Sequence, residues 1–140
     1  MSEIRLNGVH HISCITGDAP GNVEFYAGVL GMRLVKKTVN QDDPSVYHLF
    51  YGDEEGSPGF DLTFFEYPGA PPGRAGAGMV HRILWRLPSP ESLAWWRQRL
   101  AAAGMSTETG EVDARLGGTG IDMGEPGLRF TDPEGLEHEF

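Results

Sequence analysis

The sequence predicts an α+β protein built from two successive modules, each with the order strand, helix and three strands. Apolar residues alternate in strand fashion at the start of each half, over residues 7–16 and 79–87. A helical pattern follows each strand, and Gly, Pro and Ala dominate the connecting residues 68–78. Because each βαβββ module leaves one apolar sheet face uncovered, we expect the two to pack together as curled mixed sheets around a shared cleft.

The predicted domain organisation follows from this repeat. A chain of 140 residues has the length of one domain, so we expect a single domain over residues 1–140. Module 1 occupies about residues 5–67 and module 2 about residues 79–140.

The first module shows each of its elements in the residue pattern. Its leading strand places Val9, His11, Ser13 and Ile15 on one face. The helix is predicted to begin after the capping residue Asp18 and to end at Gly31. Its apolar stripe consists of Val23, Tyr26, Ala27 and Leu30. Three strand-like segments follow, at residues 32–40, 46–52 and 60–67.

The second module repeats the plan less regularly. Its leading strand, residues 79–87, places His81, Ile83, Trp85 and Leu87 on one face and Arg82 and Arg86 on the other. Ser89 and Pro90 open a helix that Gly104 ends, with Leu93, Trp96 and Leu100 towards the core. After an irregular, Gly-rich region come a strand at 128–132, a DPEG turn and a strand at 136–140.

Charge and cysteine content exclude several classes of protein. Twenty acidic against eleven basic side chains give a net charge of −9, which repels nucleic acid and anionic lipid surfaces. No apolar segment approaches the ~20 residues of a membrane span, and the first residues lack a secretory signal pattern. The single cysteine, Cys14, excludes a disulfide framework and is predicted to be a buried thiol. We therefore expect a soluble, cytoplasmic protein.

Two histidines and a carboxylate are the candidate metal ligands. His11 and His81 occupy matching positions in the leading strands of the two halves, within apolar alternation, where an imidazole needs hydrogen-bond partners or a metal. Glu139 can supply a carboxylate from the last strand, although Glu137 shares its strand face. His10 and His11 point to opposite sides of their strand, and the pattern of their neighbours does not decide which one faces the cleft.

The segment GVHHISCITGDAPGNVEFYAGVLGMRLVKKTVNQDDPSVYHLFYG resembles the ring-cleaving dioxygenases of the vicinal-oxygen-chelate superfamily, which also includes glyoxalases and bleomycin-resistance proteins. The similarity covers most of the chain, is strongest over residues 8–73, and is greatest to the hydroquinone-type enzymes. In that family the second histidine of the HHI strand binds the metal, which implies His11. The second ligand in the family is a histidine on the first strand of a partnering module, which implies His81. The third is the glutamate that closes the DPEG-x-x-x-E pattern, which implies Glu139.

The resemblance therefore implies a facial 2-His-1-carboxylate iron(II) site, which manganese(II) can also occupy. Members of the group are usually about twice as long, with the metal between the first and last of four modules. A two-module chain can complete such a site by forming a homodimer, or it is the first half of a longer protein. Arg129 is the candidate basic group beside the metal, and Ser13 a candidate hydrogen-bond partner of the substrate.

The predicted activity is a metal-dependent, ring-cleaving dioxygenase that takes a catechol- or hydroquinone-type aromatic and dioxygen. One alternative activity is that of a glyoxalase-like lyase or isomerase, in which the metal acts as a Lewis acid. Another is a binding module without catalysis, like the bleomycin-binding relatives. The last is a half-length module whose catalytic site is incomplete.

Overall fold

A mixed four-stranded sheet forms the first half of the chain in the computed structural model, which describes residues 8–57, 59–111 and 126–140. Its strands are β1 (His11–Thr16), β2 (Arg33–Val39), β3 (Tyr47–Gly52) and β4 (Asp61–Glu66). Their order across the sheet is β1-β4-β3-β2. β1 runs parallel to β4, whereas β3 is antiparallel to both of its neighbours.

The helical connection between β1 and β2 changes character along its length. The α-helix α1 (Ala19–Val23) begins at Asp18, whose carboxylate accepts a hydrogen bond from the Gly21 N–H at 3.2 Å. It continues directly as a π-helical segment, Glu24–Val29. Phe25 and Tyr26, two adjacent residues of this segment, are both buried in the core. The predicted apolar stripe included Tyr26 but not Phe25.

The helix covers one face of this sheet. Leu49, Tyr51, Leu62 and Phe64 alternate along β3 and β4 and are all buried. The Tyr26 ring packs against this set, with its centroid 4.7 Å from Phe64 and 5.3 Å from Tyr51. The Tyr51 hydroxyl donates a hydrogen bond to the buried Asn22 side chain at 2.8 Å, so the polar ends of both residues are satisfied.

A second mixed sheet with the same topology forms the other half. Its strands are β5 (Arg82–Leu84), β6 (Glu108–Glu111), β7 (Pro126–Thr131) and β8 (Glu137–Glu139), in the order β5-β8-β7-β6. β5 is parallel to β8, and the helix α2 (Glu91–Ala102) follows β5. Leu100 of α2 is fully buried, and Trp96 packs on Phe140 with 4.7 Å between ring centroids.

A turn before the last strand of each sheet carries the same hydrogen bonds. The Asp53 carboxylate accepts from the Glu55 and Ser57 N–H groups at 3.1 and 2.8 Å. The Asp132 carboxylate accepts from the N–H groups two and four residues later at 2.9 and 2.8 Å. The third residue after each aspartate is a glycine with positive φ, Gly56 and Gly135. The predicted α+β fold of two βαβββ modules is therefore confirmed.

The structure also differs from the sequence-based elements. The strand predicted at 79–87 is confined to Arg82–Leu84, and β6 lies where an irregular region was predicted. The rest of that region, 112–125, is outside the described residues. Cys14 is only half-buried, not buried as predicted.

The boundary between the halves lies inside the predicted connector. Two compact units, Met1–Pro71 and Pro72–Phe140, each contain one sheet. Among the described residues, no helix is long and apolar enough to cross a bilayer.

Candidate functional site

The sheet face opposite α1 in the first unit carries polar and aromatic side chains. It includes His11, Ser13, His48, Phe50, Thr63 and Phe65, and is termed the His11 face. The strand register arranges these side chains in rows. Ser13, Thr63 and Phe50 form one row across β1, β4 and β3, and Phe65 pairs with His48 in the next.

His11 is the first residue of β1, and its side chain is exposed. Its Nδ1 lies 3.0 Å from Nδ1 of His10, so one of these two nitrogens donates to the other. The two rings meet edge to face with centroids 5.2 Å apart. Nε2 of His11 has no hydrogen-bond partner among the described residues. His11 can therefore offer that nitrogen to a metal ion.

Ser13 and Thr63 form a hydroxyl pair on the His11 face. Thr63 is buried, and its Oγ1 donates to Ser13 Oγ at 3.0 Å. Ser13 is exposed. Because its oxygen already accepts this hydrogen bond, its own O–H remains able to donate to a ligand oxygen. The predicted contact of Ser13 with a substrate stays a prediction.

His48 is a residue of this face that the sequence reasoning missed. Its ring stacks on Phe65 with 3.8 Å between centroids and lies 4.0 Å from the Phe50 ring. Its Nε2 is buried and is the one buried side-chain nitrogen or oxygen without a hydrogen-bond partner in the described part of the chain. Burial lowers the pKa of His48, and electrostatic interactions with His11 and Lys36 lower it further. The imidazole is therefore neutral at pH 7.

A sequence signal for His48 exists in the alternation of β3. Leu49 and Tyr51 are buried on the helix side, so His48 and Phe50 between them must point to the opposite face. The pairing of β3 with β4 then sets His48 opposite Phe65. That pairing could not be read from the sequence.

In the second unit, Glu139 lies between two arginines. Its side chain is 1% exposed. Arg82 Nη1 donates to its Oε2 at 3.1 Å, and Arg129 Nε donates to its Oε1 at 3.0 Å. Arg82 Nε also donates to Glu137 at 2.8 Å. Arg129, predicted as a substrate contact, holds Glu139 while about a third of its own side chain stays exposed.

The strand register matches Arg82, rather than His81, to His11. His11 pairs with Asp61 and Ser13 with Thr63 across the parallel strands of the first sheet. In the second sheet the corresponding pairs are Arg82 with Glu137 and Leu84 with Glu139. His81 precedes β5 and is exposed. The expectation that the two histidines occupy matching positions is therefore wrong by one residue.

Neither unit by itself assembles a metal site from its described residues. Within either unit, the described residues contain no cluster of three His, Cys, Asp or Glu side chains that could hold one. Both oxygens of Glu139 accept from guanidinium groups, whose positive charge disfavours an added cation. His11 and His81 are both exposed, and their imidazole groups are of the type that binds metal ions. The joint site of His11, His81 and Glu139 stays a prediction.

His138 is a buried histidine with a structural role. Its Nδ1 accepts a hydrogen bond from Trp85 Nε1 at 3.0 Å, and it stacks on Phe130 with 5.3 Å between centroids. Burial lowers the pKa of His138 to about 4. It is therefore neutral at pH 7 and belongs to the core under α2.

Comparison with known proteins identifies a family. Residues 8–140 match the model of the Glyoxalase/Bleomycin resistance protein/Dioxygenase superfamily. The chain is 43% identical over 132 residues to "Putative ring-cleaving dioxygenase MhqA" of Bacillus subtilis (strain 168). It is 38% identical over 115 residues to "Chlorohydroquinone/hydroquinone 1,2-dioxygenase" of Sphingobium indicum. These alignments cover 94% and 81% of the chain but 39% and 35% of the relatives. The chain thus spans well under half their length.

Solved structures agree with the fold. A crystal structure described as a "putative dioxygenase" from Bacillus subtilis has a TM-score of 0.82 at 42% identity, and the match covers 94% of the chain and 39% of that structure. The crystal structure of SMU.1112c has a TM-score of 0.70 at 24% identity, with coverage of 96% and 98%. The second likeness shows the fold alone, in a protein of similar length.

Proposed function

Since the chain belongs to the Glyoxalase/Bleomycin resistance protein/Dioxygenase superfamily, we propose that it serves in a ring-cleaving dioxygenase acting on a dihydroxylated aromatic compound. The names of relatives at 38–43% identity support this class of reaction. The observation that carries the proposal is the His11 face, which combines an available imidazole nitrogen, a hydroxyl donor and two phenylalanine rings. These groups are chemically suited to bind the oxygens and the ring of an aromatic diol.

The chemistry of the His11 face suits a flat phenolic ring. Phe50 and Phe65 offer apolar ring surfaces against which an aromatic substrate packs favourably. The Ser13 hydroxyl, whose oxygen accepts from Thr63, is proposed to donate to a phenolic oxygen and to stabilise its negative charge as it loses a proton. These residues bind and orient the ring.

Metal dependence is part of the proposal, with iron(II) as the metal and manganese(II) as the competing ion. His11 is the ligand proposed from this chain's first unit. The remaining ligands are proposed to come from the pairing of modules, either in a homodimer or in a longer chain. The predicted ligands His81 and Glu139 are included only if the arginine contacts of Glu139 are exchanged on assembly.

The direct test is oxygen consumption. The purified chain is loaded anaerobically with iron(II), and dioxygen uptake is followed with hydroquinone, chlorohydroquinone and catechol. We expect uptake of one dioxygen per ring and the absorbance of an opened, conjugated product. His11→Ala should abolish uptake and lower bound iron, whereas Tyr47→Phe, a change on the opposite face, should alter neither.

The competing functions predict different outcomes. Lewis-acid chemistry predicts metal-dependent conversion of a thiohemiacetal without oxygen uptake. A binding module predicts ligand binding with no turnover at any metal loading. Either result would overturn the dioxygenase proposal. Sedimentation analysis of the same samples shows whether iron is bound by a monomer or a dimer.

A further inference from the structure

We infer that His48 contacts the substrate, with its Nε2 accepting a hydrogen bond from the second hydroxyl of a para-dihydroxylated ring. This inference rests on the proposed function and extends it to a residue and a substitution pattern. Three features of the structure carry it: the unpaired nitrogen, the fixed ring, and its position relative to Ser13.

The unpaired nitrogen calls for a partner. Nε2 of His48 is buried and has no hydrogen-bond partner in the described part of the chain. A buried polar atom left unpaired costs free energy, and native proteins pair nearly all such atoms. In the neutral tautomer that carries the ring proton on Nδ1, Nε2 is an acceptor, and a phenolic O–H is a matching donor.

The aromatic neighbours fix the ring that carries this nitrogen. The planes of His48 and Phe65 are inclined by 23° with centroids 3.8 Å apart. Phe50 lies on the same sheet face with its centroid 4.0 Å from His48. These contacts restrict the imidazole to one orientation, so the entropy lost on forming a hydrogen bond to a ligand is small.

The position of His48 suits a ligand with two oxygens at opposite ends. Thr63 pairs with Phe50, and Phe65 pairs with His48, so Thr63 and His48 are diagonal neighbours on adjacent strands. Such neighbours are about 7–8 Å apart between Cα atoms. A para-diol can reach the Ser13–Thr63 hydroxyl pair with one oxygen and His48 with the other, whereas an ortho-diol carries both oxygens at one end.

The two ends of this surface also differ in hydrogen-bonding character. Ser13 accepts from Thr63 and can donate to one ring oxygen. His48, neutral at pH 7, can accept from the other ring oxygen. One hydroxyl of the substrate would thus receive a hydrogen bond while the other gives one.

Two substitutions of His48 distinguish the contribution of its Nε2 acceptor from the contribution of its aromatic ring. His48→Phe keeps an aromatic ring between Phe50 and Phe65 but removes the acceptor, and His48→Gln keeps a polar side-chain end without the ring. Anaerobic titration of the iron-loaded chain with hydroquinone and with 4-methoxyphenol, which has only one O–H donor, measures the contribution of the second hydroxyl.

We expect the wild type to bind hydroquinone about tenfold more tightly than 4-methoxyphenol, the effect of one hydrogen bond. His48→Phe should lose this preference by weakening hydroquinone alone, and His48→Gln should recover part of it. If His48 had only a structural role, His48→Phe would weaken the binding of both ligands equally. Tyr47→Phe, on the neighbouring residue and the other face, should retain the full preference.

Failure of this inference is distinguishable from failure of the proposed function. If His48→Phe keeps the wild-type preference and oxygen uptake, the role of His48 is overturned and the dioxygenase proposal stands. If the wild type binds neither phenol and takes up no oxygen, both are overturned. Should His48→Phe not fold, nitrogen NMR of the wild type decides, because the Nε2 resonance must shift with hydroquinone and not with 4-methoxyphenol.

Discussion

Arg82 Nη1 donates to Glu139 Oε2 at 3.1 Å, from the strand position that corresponds to His11 in the first sheet. The second unit thus places a permanent cation where the first places a titratable imidazole. Together with Arg129, this cation neutralises the buried carboxylate of Glu139. The carboxylate is therefore held by ion pairs within its own unit.

Replacing Arg82 by Met should destabilise the second unit. The substitution keeps an apolar stem but leaves Glu139, which is 1% exposed, with one cation fewer. Loss of a hydrogen bond to a buried charged group costs about 2–3 kcal/mol, measured as the free energy of unfolding in urea. Arg74→Met, in the exposed connector, is the matched control and should change stability by less than about 0.5 kcal/mol. Equal effects of the two substitutions would contradict the role of the ion pair.

Glu139→Gln should separate ion pairing from metal binding. An uncharged amide cannot neutralise the two guanidinium groups, so we expect lower stability with no change in bound iron. His11→Ala should lose iron in the same preparation. Metal content measured by mass spectrometry on both variants provides the comparison. Equal loss of iron from both would favour the metal site predicted from sequence over the ion pair.

Stability should fall below neutral pH because of His138. The pKa of His138 is about 4 in the folded protein because of burial, against 6.5 for the unfolded side chain. The unfolded state therefore binds the proton first as the pH falls. The stabilisation is complete above pH 6.5 and is lost progressively towards pH 4, by roughly 3 kcal/mol in total. Urea unfolding at pH 7 and pH 5 measures this change, which His138→Gln should reduce; an unchanged pH dependence in the variant would refute the assignment.

The Tyr51–Asn22 hydrogen bond should show energetic coupling. Its 2.8 Å contact joins two buried polar groups, so Tyr51→Phe leaves the Asn22 oxygen without its donor. We expect a loss of about 1–3 kcal/mol in the free energy of unfolding. In a double-mutant cycle with Asn22→Ala, the second substitution should cost less once the first is present. Strict additivity would show that the hydrogen bond contributes nothing.

Two glycines of the first helical connection should respond oppositely to alanine. Gly31 has a φ of +71°, and a Cβ there meets no atom within 4 Å, so Gly31→Ala tests backbone strain alone. We expect a loss of about 1–2 kcal/mol. Gly28 also has open space where an alanine methyl group would lie but no positive φ, so Gly28→Ala should be neutral or stabilising by up to about 1 kcal/mol. Thermal unfolding of both variants tests the contrast.

Much of the fold was predictable because it depends on local patterns. Period-two alternation located β1, β3 and β4, and capping by Asp18 and termination at Gly31 located the helical connection. β6 was missed because its sequence, ETGE, has no apolar alternation and owes its strand conformation to pairing with β7. The π-helical segment was missed because its hydrogen bonds follow from core packing rather than from residue type.

By itself the sequence determined the two-module fold and the family, since periodicity and the HHI motif are properties of neighbouring residues, whereas the metal-binding role of His11 stays a prediction. Only the tertiary structure decided which side chains meet across strands. Strand register places His48 between Phe50 and Phe65, and it matches Arg82 rather than His81 to His11. A shift of one residue moves a side chain to the other face of a sheet, and the pairing that fixes the shift joins segments distant in the chain.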